Sequence, residues 1–339
     1  WLLSVAKNKR IDSARKDTRL VITDEVPEMI NAPDTDTAMD ERLKLLYDCG
    51  HPAIDPALRT PLMLQTVLGV EANKIANAYL VPPKAMAQRL VRAKRKIKFA
   101  KIPFVMPDEA VYPERMGCVL EAVYGTYAVD WLEGAGDLSH EAYFLSTILT
   151  ELAPTNPEAL GLHALIGYIE ARRAARVRQN VLVPVPEQDT ELWDAILIER
   201  SLRMLSRASA LGQGGRFQLE AAIQSVHAAR VTTGKTDWNA LSKLYAGLVR
   251  LHPTIGAVVA RAAVVAEDAG PAEGLIMLEE VSFSGRDSFQ PFHAVRAHCL
   301  ARLGQSALAA DAYAKAISLC TDAPSRNWLE EKMAEFRKQ

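Results

Sequence analysis

A single short segment concentrates positive charge in a chain whose formal net charge is only -1. The segment, Asn73–Lys101, contains nine lysines and arginines, and no acidic residue occurs between Glu71 and Asp108. Its apolar residues keep a helical spacing on both sides of the Val-Pro-Pro sequence at 81–83, where two prolines interrupt one helix and begin the next. The segment is therefore predicted to form a helix-turn-helix whose second helix meets a phosphate backbone.

The second helix is predicted to have an apolar back and a basic front. Met86, Leu90, Ala93 and Ile97 recur at intervals of four, three and four residues, which places them on one buried stripe. A helix lying in the major groove requires a polar, basic surface opposite such a stripe. The alternative is an ordinary helix with a solvated charged face; it is less favoured because a partner helix precedes it and no acid is interleaved. The side chains predicted to contact DNA are Lys84, Gln88, Arg89, Arg92, Lys94, Arg95 and Lys96.

The sequence at 89–94, Arg-Leu-Val-Arg-Ala-Lys, resembles the R-L-x-R-A-[KR] core of region 4 in bacterial extracytoplasmic-function RNA polymerase sigma factors. The first residues, WLLSVAKNKRIDSAR, are similar to the end of region 2 in that family, so the chain is expected to begin inside region 2. The resemblance implies that Asn8, Arg10 and Arg15 contact promoter DNA and that region 4 reads the −35 element. It also implies two partners, promoter DNA and the RNA polymerase core enzyme.

The first helix of the pair departs from that family pattern at its start. Its predicted inner face consists of Ile75, Ala76, Tyr79 and Leu80. Family members usually begin this helix with a Thr or Ser cap, whereas this chain has Glu71 there. The side-chain capping bond, typically worth about 1 kcal/mol, is therefore expected to be missing or replaced.

The last third of the chain contains a 34-residue repeat. Ala229, Ala263 and Ala297 are spaced by this period, and so are Gly270 and Gly304, which are predicted to lie in the turns inside helical pairs. This pattern is typical of tetratricopeptide-like repeats. It is similar to the subgroup of those sigma factors that carries a C-terminal tetratricopeptide-like domain.

These features predict an all-α protein with a basic front and an acidic back. Residues 1–107 hold 18 Lys and Arg against 12 Asp and Glu, and residues 108–339 hold 22 against 29. The front is expected to meet nucleic acid and the back to meet protein. The predicted parts are a remnant of sigma region 2 at 1–20, an acidic linker at 21–41, the sigma region 4 helix-turn-helix at 42–104 and the α-helical tetratricopeptide-like domain at 108–339.

Other site classes find little support in the sequence. The four cysteines lie far apart without CxxC spacing, which fits a reduced cytoplasm and argues against a zinc ribbon. No uninterrupted apolar run reaches the ~20 residues of a membrane span. The Gly-rich sequence at 212–215 has no following Gly-Lys-[Ser/Thr], so a helix-connecting loop is favoured over a phosphate loop. We expect no catalytic residue, no metal and no cofactor.

A cluster of arginines at Arg172, Arg173 and Arg176 precedes the acidic segment Glu187–Asp189. An internal ion-pair network is favoured over an anion site, and both interpretations stay open.

Two functions from different classes compete. The resemblance implies a transcription initiation factor, cytoplasmic and associated with the nucleoid when bound to polymerase, in which a helical repeat domain modulates promoter recognition or binds a protein regulator. The alternative is a helix-turn-helix transcriptional regulator whose repeats bind a protein or an effector. The N-terminal segment favours the first, because a simple repressor has no need of it. A third class, an α-helical enzyme, has no supporting motif.

Overall fold

A computed structural model describes residues 45–79, 81–99, 112–133, 137–283 and 285–337. These residues form a helical segment at 45–49, the fifteen α-helices named below and one short β-hairpin, which confirms the all-α class. None of the described helices combines the length and the apolar character that crossing a membrane requires. The helices are α1 (Pro56–Thr66), α2 (Ala72–Ala78), α3 (Pro83–Phe99), α4 (Tyr112–Glu133), α5 (Asp137–Leu152), α6 (Pro157–Glu170), α7 (Ala195–Ala210), α8 (Arg216–Ala228), α9 (Arg230–Thr233), α10 (Trp238–Leu251), α11 (Ile255–Asp268), α12 (Pro271–Glu279), α13 (Gln290–Arg302), α14 (Ser306–Leu319) and α15 (Ala323–Arg337).

The chain divides into two compact units, Trp1–Ala142 and Tyr143–Gln339. In the first unit, α1 packs against α2, α3 and α4. Its buried side chains include Leu62, Ile75 and Leu90, each almost fully removed from water. The segments 1–20 and 21–41, and with them Asn8, Arg10 and Arg15, lie outside the described residues.

Helix α4 belongs to the first unit, although the sequence analysis assigned it to the repeat domain. It packs on α1 and α2, and Val119 is completely buried. The Tyr47 hydroxyl donates to Met116 Sδ at 3.6 Å, and Arg115 Nη1 donates to the Tyr47 carbonyl at 3.2 Å. The first unit thus extends past the predicted joint at 102–107 because its core needs the apolar face of α4.

The second unit is built from neighbouring helices that pack in sequence. Helix α6 packs on α7 and α8, α10 on α11, α11 on α12, and α13 on α14. Gly270 lies between α11 and α12 with φ 131°, and Gly304 lies between α13 and α14 with φ 72°. Both are in turns inside helical pairs, as predicted, and both adopt a backbone conformation that glycine tolerates best.

The predicted small-residue register is only partly correct. Ala297 is completely buried, whereas Ala263 is half-buried and Ala229 is exposed at the end of α8. A close approach between α11 and α12 occurs at Gly274, where an added Cβ would lie 2.5 Å from Ala266 Cβ. Helical geometry therefore places the tight contact on another side of α11 from the one the 34-residue spacing indicated.

A β-hairpin interrupts the helices of the second unit. Strand β1 (Val177–Arg178) pairs antiparallel with β2 (Val181–Leu182), and the two residues between them, Gln179 and Asn180, both have positive φ. Two positive φ values in a two-residue connection are typical of a type I′ turn. Helix α15 packs on β2, and Asn327 Nδ2 donates to the Asn180 carbonyl at 2.9 Å.

Candidate nucleic-acid interface

Helix α3 has one apolar side and one basic side. Met86, Leu90 and Ala93 are buried against α1 and α2, and Ile97 is half-buried. This matches the predicted stripe, with burial weakening toward the C-terminal end of the helix. The apolar side fixes which way α3 faces, because turning it would expose three buried side chains.

The basic side of α3 is accessible to a ligand. Within the part of the chain that the structure describes, no ion pair engages its lysines and arginines. Arg92 Nε donates to the Gln88 carbonyl at 3.4 Å, a bond that leaves most of the guanidinium free to contact other groups. The predicted DNA-contacting side chains that are exposed here are Lys84, Gln88, Arg89, Arg92, Arg95 and Lys96.

Lys94 does not belong to the exposed basic side. It is half-buried, and burial lowers the pKa of its ammonium group, with the nearby Cys49 thiol acting in the opposite direction. The physical reason is its place on the helix, four residues after the buried Leu90 and therefore close to the same side of α3. A lysine bordering an apolar stripe covers it with its aliphatic stem. Lys94 is therefore better assigned to the edge of the core than to the DNA-contacting face.

Helix α2 begins without a side-chain cap. Glu71 makes no capping bond, and the backbone N–H of Lys74 is instead satisfied by Asn73 Oδ1 at 2.8 Å. The helix is nevertheless anchored, because Ile75 and Ala76 are completely buried. Tertiary burial thus replaces the missing cap, as is usual for short helices.

The outer part of the predicted α2 inner face differs from expectation. Tyr79 is 41% exposed, although partial burial raises the pKa of its phenol to about 12. Leu80 lies outside the described residues. The Pro82 carbonyl accepts from Ala85 N and Met86 N at 2.9 and 3.1 Å, so the first turn of α3 starts directly at the second residue of the Val-Pro-Pro sequence.

Two large apolar side chains of α3, Val91 and Phe99, are exposed and were not singled out from the sequence. Val91 is 49% exposed, between the exposed Gln88 and Arg95. Its position four residues before Arg95 and seven after Lys84 places it on the same side of the helix as these basic residues. The helical spacing of the sequence places Val91 opposite the apolar stripe, but the many lysines and arginines around it obscured this signal.

The Gly-rich loop before α8 is occupied by protein groups. The carboxylate of Glu158 accepts from the backbone N–H groups of Phe217 and Gln218 at 2.9 and 3.2 Å. An added Cβ at Gly215 would overlap that carboxyl group. The helix N-terminus is thus capped from within the protein, which is what a helix-connecting loop requires.

The arginine cluster makes several different contacts. Arg173 Nε donates to Glu170 Oε2 at 2.8 Å, and the buried Arg172 donates to the side-chain oxygen of Gln224. Arg172 also lies 6.0 Å from the centre of the Trp193 ring, over which Arg230 lies at 5.4 Å. The described contacts therefore pin the loop before α7 through stacking and carbonyl contacts as well as ion pairs.

Metal-ligating side chains do not cluster among the residues that the structure describes. Within those ranges, no group of three or more His, Cys, Asp or Glu side chains is placed to hold a metal ion. Cys49 Sγ lies 3.7 Å from Thr66 Oγ1, and His51 Nδ1 accepts from the Ala53 backbone at 3.1 Å. These two residues thus serve local packing and a turn.

Comparisons with known proteins give a family without an assigned activity. Residues 115–209, less than a third of the chain, match a family described as a family of unknown function (DUF6596). Uncharacterized protein R00370 of Rhizobium meliloti (strain 1021) is 32% identical over 350 residues, covering 98% of this chain and 82% of that protein. No solved structure matches the chain. The chain belongs to the same family as the Rhizobium meliloti protein.

Proposed function

We propose that the protein is an RNA polymerase sigma factor of the extracytoplasmic-function type, directing transcription initiation. In this proposal α2 and α3 form the helix-turn-helix of region 4, and α3 reads the −35 element of the promoter. The first unit also contacts the polymerase core enzyme. The helical second unit has a tetratricopeptide-like arrangement and modulates these contacts.

The observation that carries the proposal is the exposed basic side of α3. Six cationic side chains and one amide are exposed on it, over an apolar stripe that holds the helix in place. Neighbouring cations on one helix face repel one another, so this surface is stabilised by a polyanion. The short turn between α2 and α3 supports a helix-turn-helix in which the second helix enters the major groove.

The experiment compares variants of this face in binding and in transcription. Arg92→Ala is expected to cost about 1–3 kcal/mol in affinity for the cognate duplex, since Arg92 projects where base edges are read. Lys96→Ala is expected to weaken binding to all duplexes about equally and to flatten the salt dependence, as a phosphate contact does. Lys243→Ala, at an exposed lysine of α10, is the control and should change neither quantity.

Transcription from the bound promoter then separates the two candidate functions. A sigma factor makes core RNA polymerase initiate at that promoter, whereas a helix-turn-helix regulator binds the same duplex but cannot replace the sigma subunit. Equal affinity of wild-type protein for cognate and scrambled duplexes would count against base reading. Binding unchanged in both variants would refute the role of α3.

A further inference from the structure

Val91 is the one large apolar side chain exposed between Lys84 and Lys98; a second, Phe99, lies at the C-terminal end of α3. The other exposed side chains from Lys84 to Lys98 are basic, an amide or alanine. Val91 lies one helical turn after Gln88 and one before Arg95, and it is 49% exposed. Residues three or four apart on a helix are surface neighbours, with Cβ atoms about 5–6 Å apart.

The fold gains little from a valine at this position. Valine is a poorer helix former than alanine, lysine or arginine, because its branched side chain loses rotamer freedom in a helix. Half of Val91 also remains in water, and it takes no part in the buried side of α3 formed by Met86, Leu90 and Ala93. The stability of the helix would thus favour another residue at position 91. A contact made in a complex would explain the valine.

The partner of this surface must combine negative charge with an apolar group. Lys84, Arg92 and Arg95 surround Val91 with positive charge, so a polyanion is the complementary ligand. The major groove of duplex DNA offers such an apolar group in the C5-methyl of thymine, beside the N6 and N7 groups of adenine. Uracil lacks that methyl group, so this apolar contact is available in DNA but not in RNA.

We propose that Val91 packs against the C5-methyl group of a thymine in the recognised site, while Gln88 reads an adenine in the same or the adjacent base pair. The inference rests on the proposed function, because it requires α3 to lie in the major groove. It adds a specific base preference, an A·T step, to the basic surface. The amide of Gln88 matches the N6 and N7 groups of adenine, and Gln88 is a surface neighbour of Val91 one helical turn away.

The test removes the methyl group from DNA and from protein separately. The full chain first selects its preferred sites from a randomised duplex pool. Each thymine of the selected site is then replaced singly by deoxyuridine, and affinities are measured for wild type, Val91→Ala and Val231→Ala. Val231 lies in α9 and is 47% exposed, so it is a control matched in residue type and exposure.

One deoxyuridine is expected to weaken wild-type binding about fourfold, the equivalent of burying one methyl group. Val91→Ala should weaken binding to the thymine duplex by a similar factor and lose its sensitivity to that substitution. Val231→Ala should keep the full sensitivity. 7-Deazaadenine, placed in the same or an adjacent base pair of that duplex, should weaken binding by the wild type. It should not weaken binding by Gln88→Ala.

Several outcomes would overturn the inference. A selected site in which no deoxyuridine weakens binding, or a loss that persists in Val91→Ala, would show that Val91 does not contact a thymine methyl. If Arg92→Ala still reduces specific binding in that case, the proposed function survives and only the inference fails. If the protein selects no duplex and shows no salt-dependent affinity, the inference and the proposed function fail together.

Thermal unfolding of Val91→Ala is the control for folding. An unchanged melting temperature would show that any loss of binding does not come from loss of the fold.

Discussion

The contact between α11 and α12 predicts an unusual response to a glycine-to-alanine substitution. A Cβ added at Gly274 would lie 2.5 Å from Ala266 Cβ and 2.8 Å from the Ala262 carbonyl oxygen. Carbon atoms pack best at about 3.5–4.0 Å, so the two helices would have to separate by roughly 1 Å. Overpacking of this kind typically costs about 1–3 kcal/mol.

A matched substitution isolates that cost. Gly247, in α10 of the same unit, would place its added Cβ 3.8 Å from Leu219 Cδ2, which is an ordinary contact. Both substitutions gain about 1 kcal/mol of helix propensity, since both glycines lie inside helices. The gain cancels in the comparison, and the difference between the two variants in the free energy of unfolding is expected to be about 1–3 kcal/mol.

Calorimetry of the full chain is a suitable assay because it resolves the unfolding of separate units. For a unit of this size, 1 kcal/mol shifts the melting temperature by about 2–4 °C. Gly247→Ala should therefore melt on the order of 5 °C above Gly274→Ala. A Gly274→Ala protein as stable as Gly247→Ala would refute the close helix contact and the packing of α11 on α12.

Two further predictions concern the second unit. Glu158→Ala leaves the backbone N–H groups of Phe217 and Gln218 without their acceptor, so the free energy of unfolding in urea should fall by about 1–3 kcal/mol. Glu330→Ala, at an exposed position, is the control and should have little effect. Burial lowers the pKa of His163 to about 4 and, with the nearby arginines, that of His227 to about 4, from 6.5. Between about pH 4 and 6.5 the unfolded chain therefore binds more protons than the folded chain, so the free energy of unfolding should fall as the pH drops through this window. The slope should be up to about 1.4 kcal/mol per pH unit for each histidine, and stability should not change above the window. Replacing both histidines with glutamine should remove the slope in urea unfolding, and an unchanged slope would assign it to other groups.

The sequence predicted elements best where one periodic pattern decided the outcome. The stripe of Met86, Leu90 and Ala93 is buried because a helix has one period, and its phase can be read from apolar residues alone. Lys94 is less exposed than its charge suggests, because it lies one helical turn after the buried Leu90. A lysine at the edge of an apolar stripe has a buried aliphatic stem and an exposed charged group, so its residue type alone does not predict its burial.

Contacts between elements were harder to predict. The 34-residue spacing located the turns at Gly270 and Gly304, because a turn is a local feature with a glycine signature. It did not locate the tight contact at Gly274, because helix crossings depend on ridges and grooves of both partners. The capping of α8 by Glu158 joins positions about 60 residues apart, and no local pattern announces such a pairing.

The position of α4 changes how the proposed modulation by the second unit has to be tested. A chain that ended near residue 107, at the joint that the prolines suggest, would lose the buried Val119, Leu120 and Val123 from the first unit. Three such side chains, at about 2–5 kcal/mol each, match the roughly 5–15 kcal/mol by which a domain is usually stable. Such a fragment would be inactive because it does not fold, whatever the second unit does to promoter recognition. The region that matches the family of unknown function begins at residue 115, inside α4, and ends at residue 209, in the second unit. This region therefore includes residues of both units. Modulation is therefore better measured in the full chain than in a fragment that ends near residue 107, with substitutions at exposed positions of the second unit that leave both cores intact.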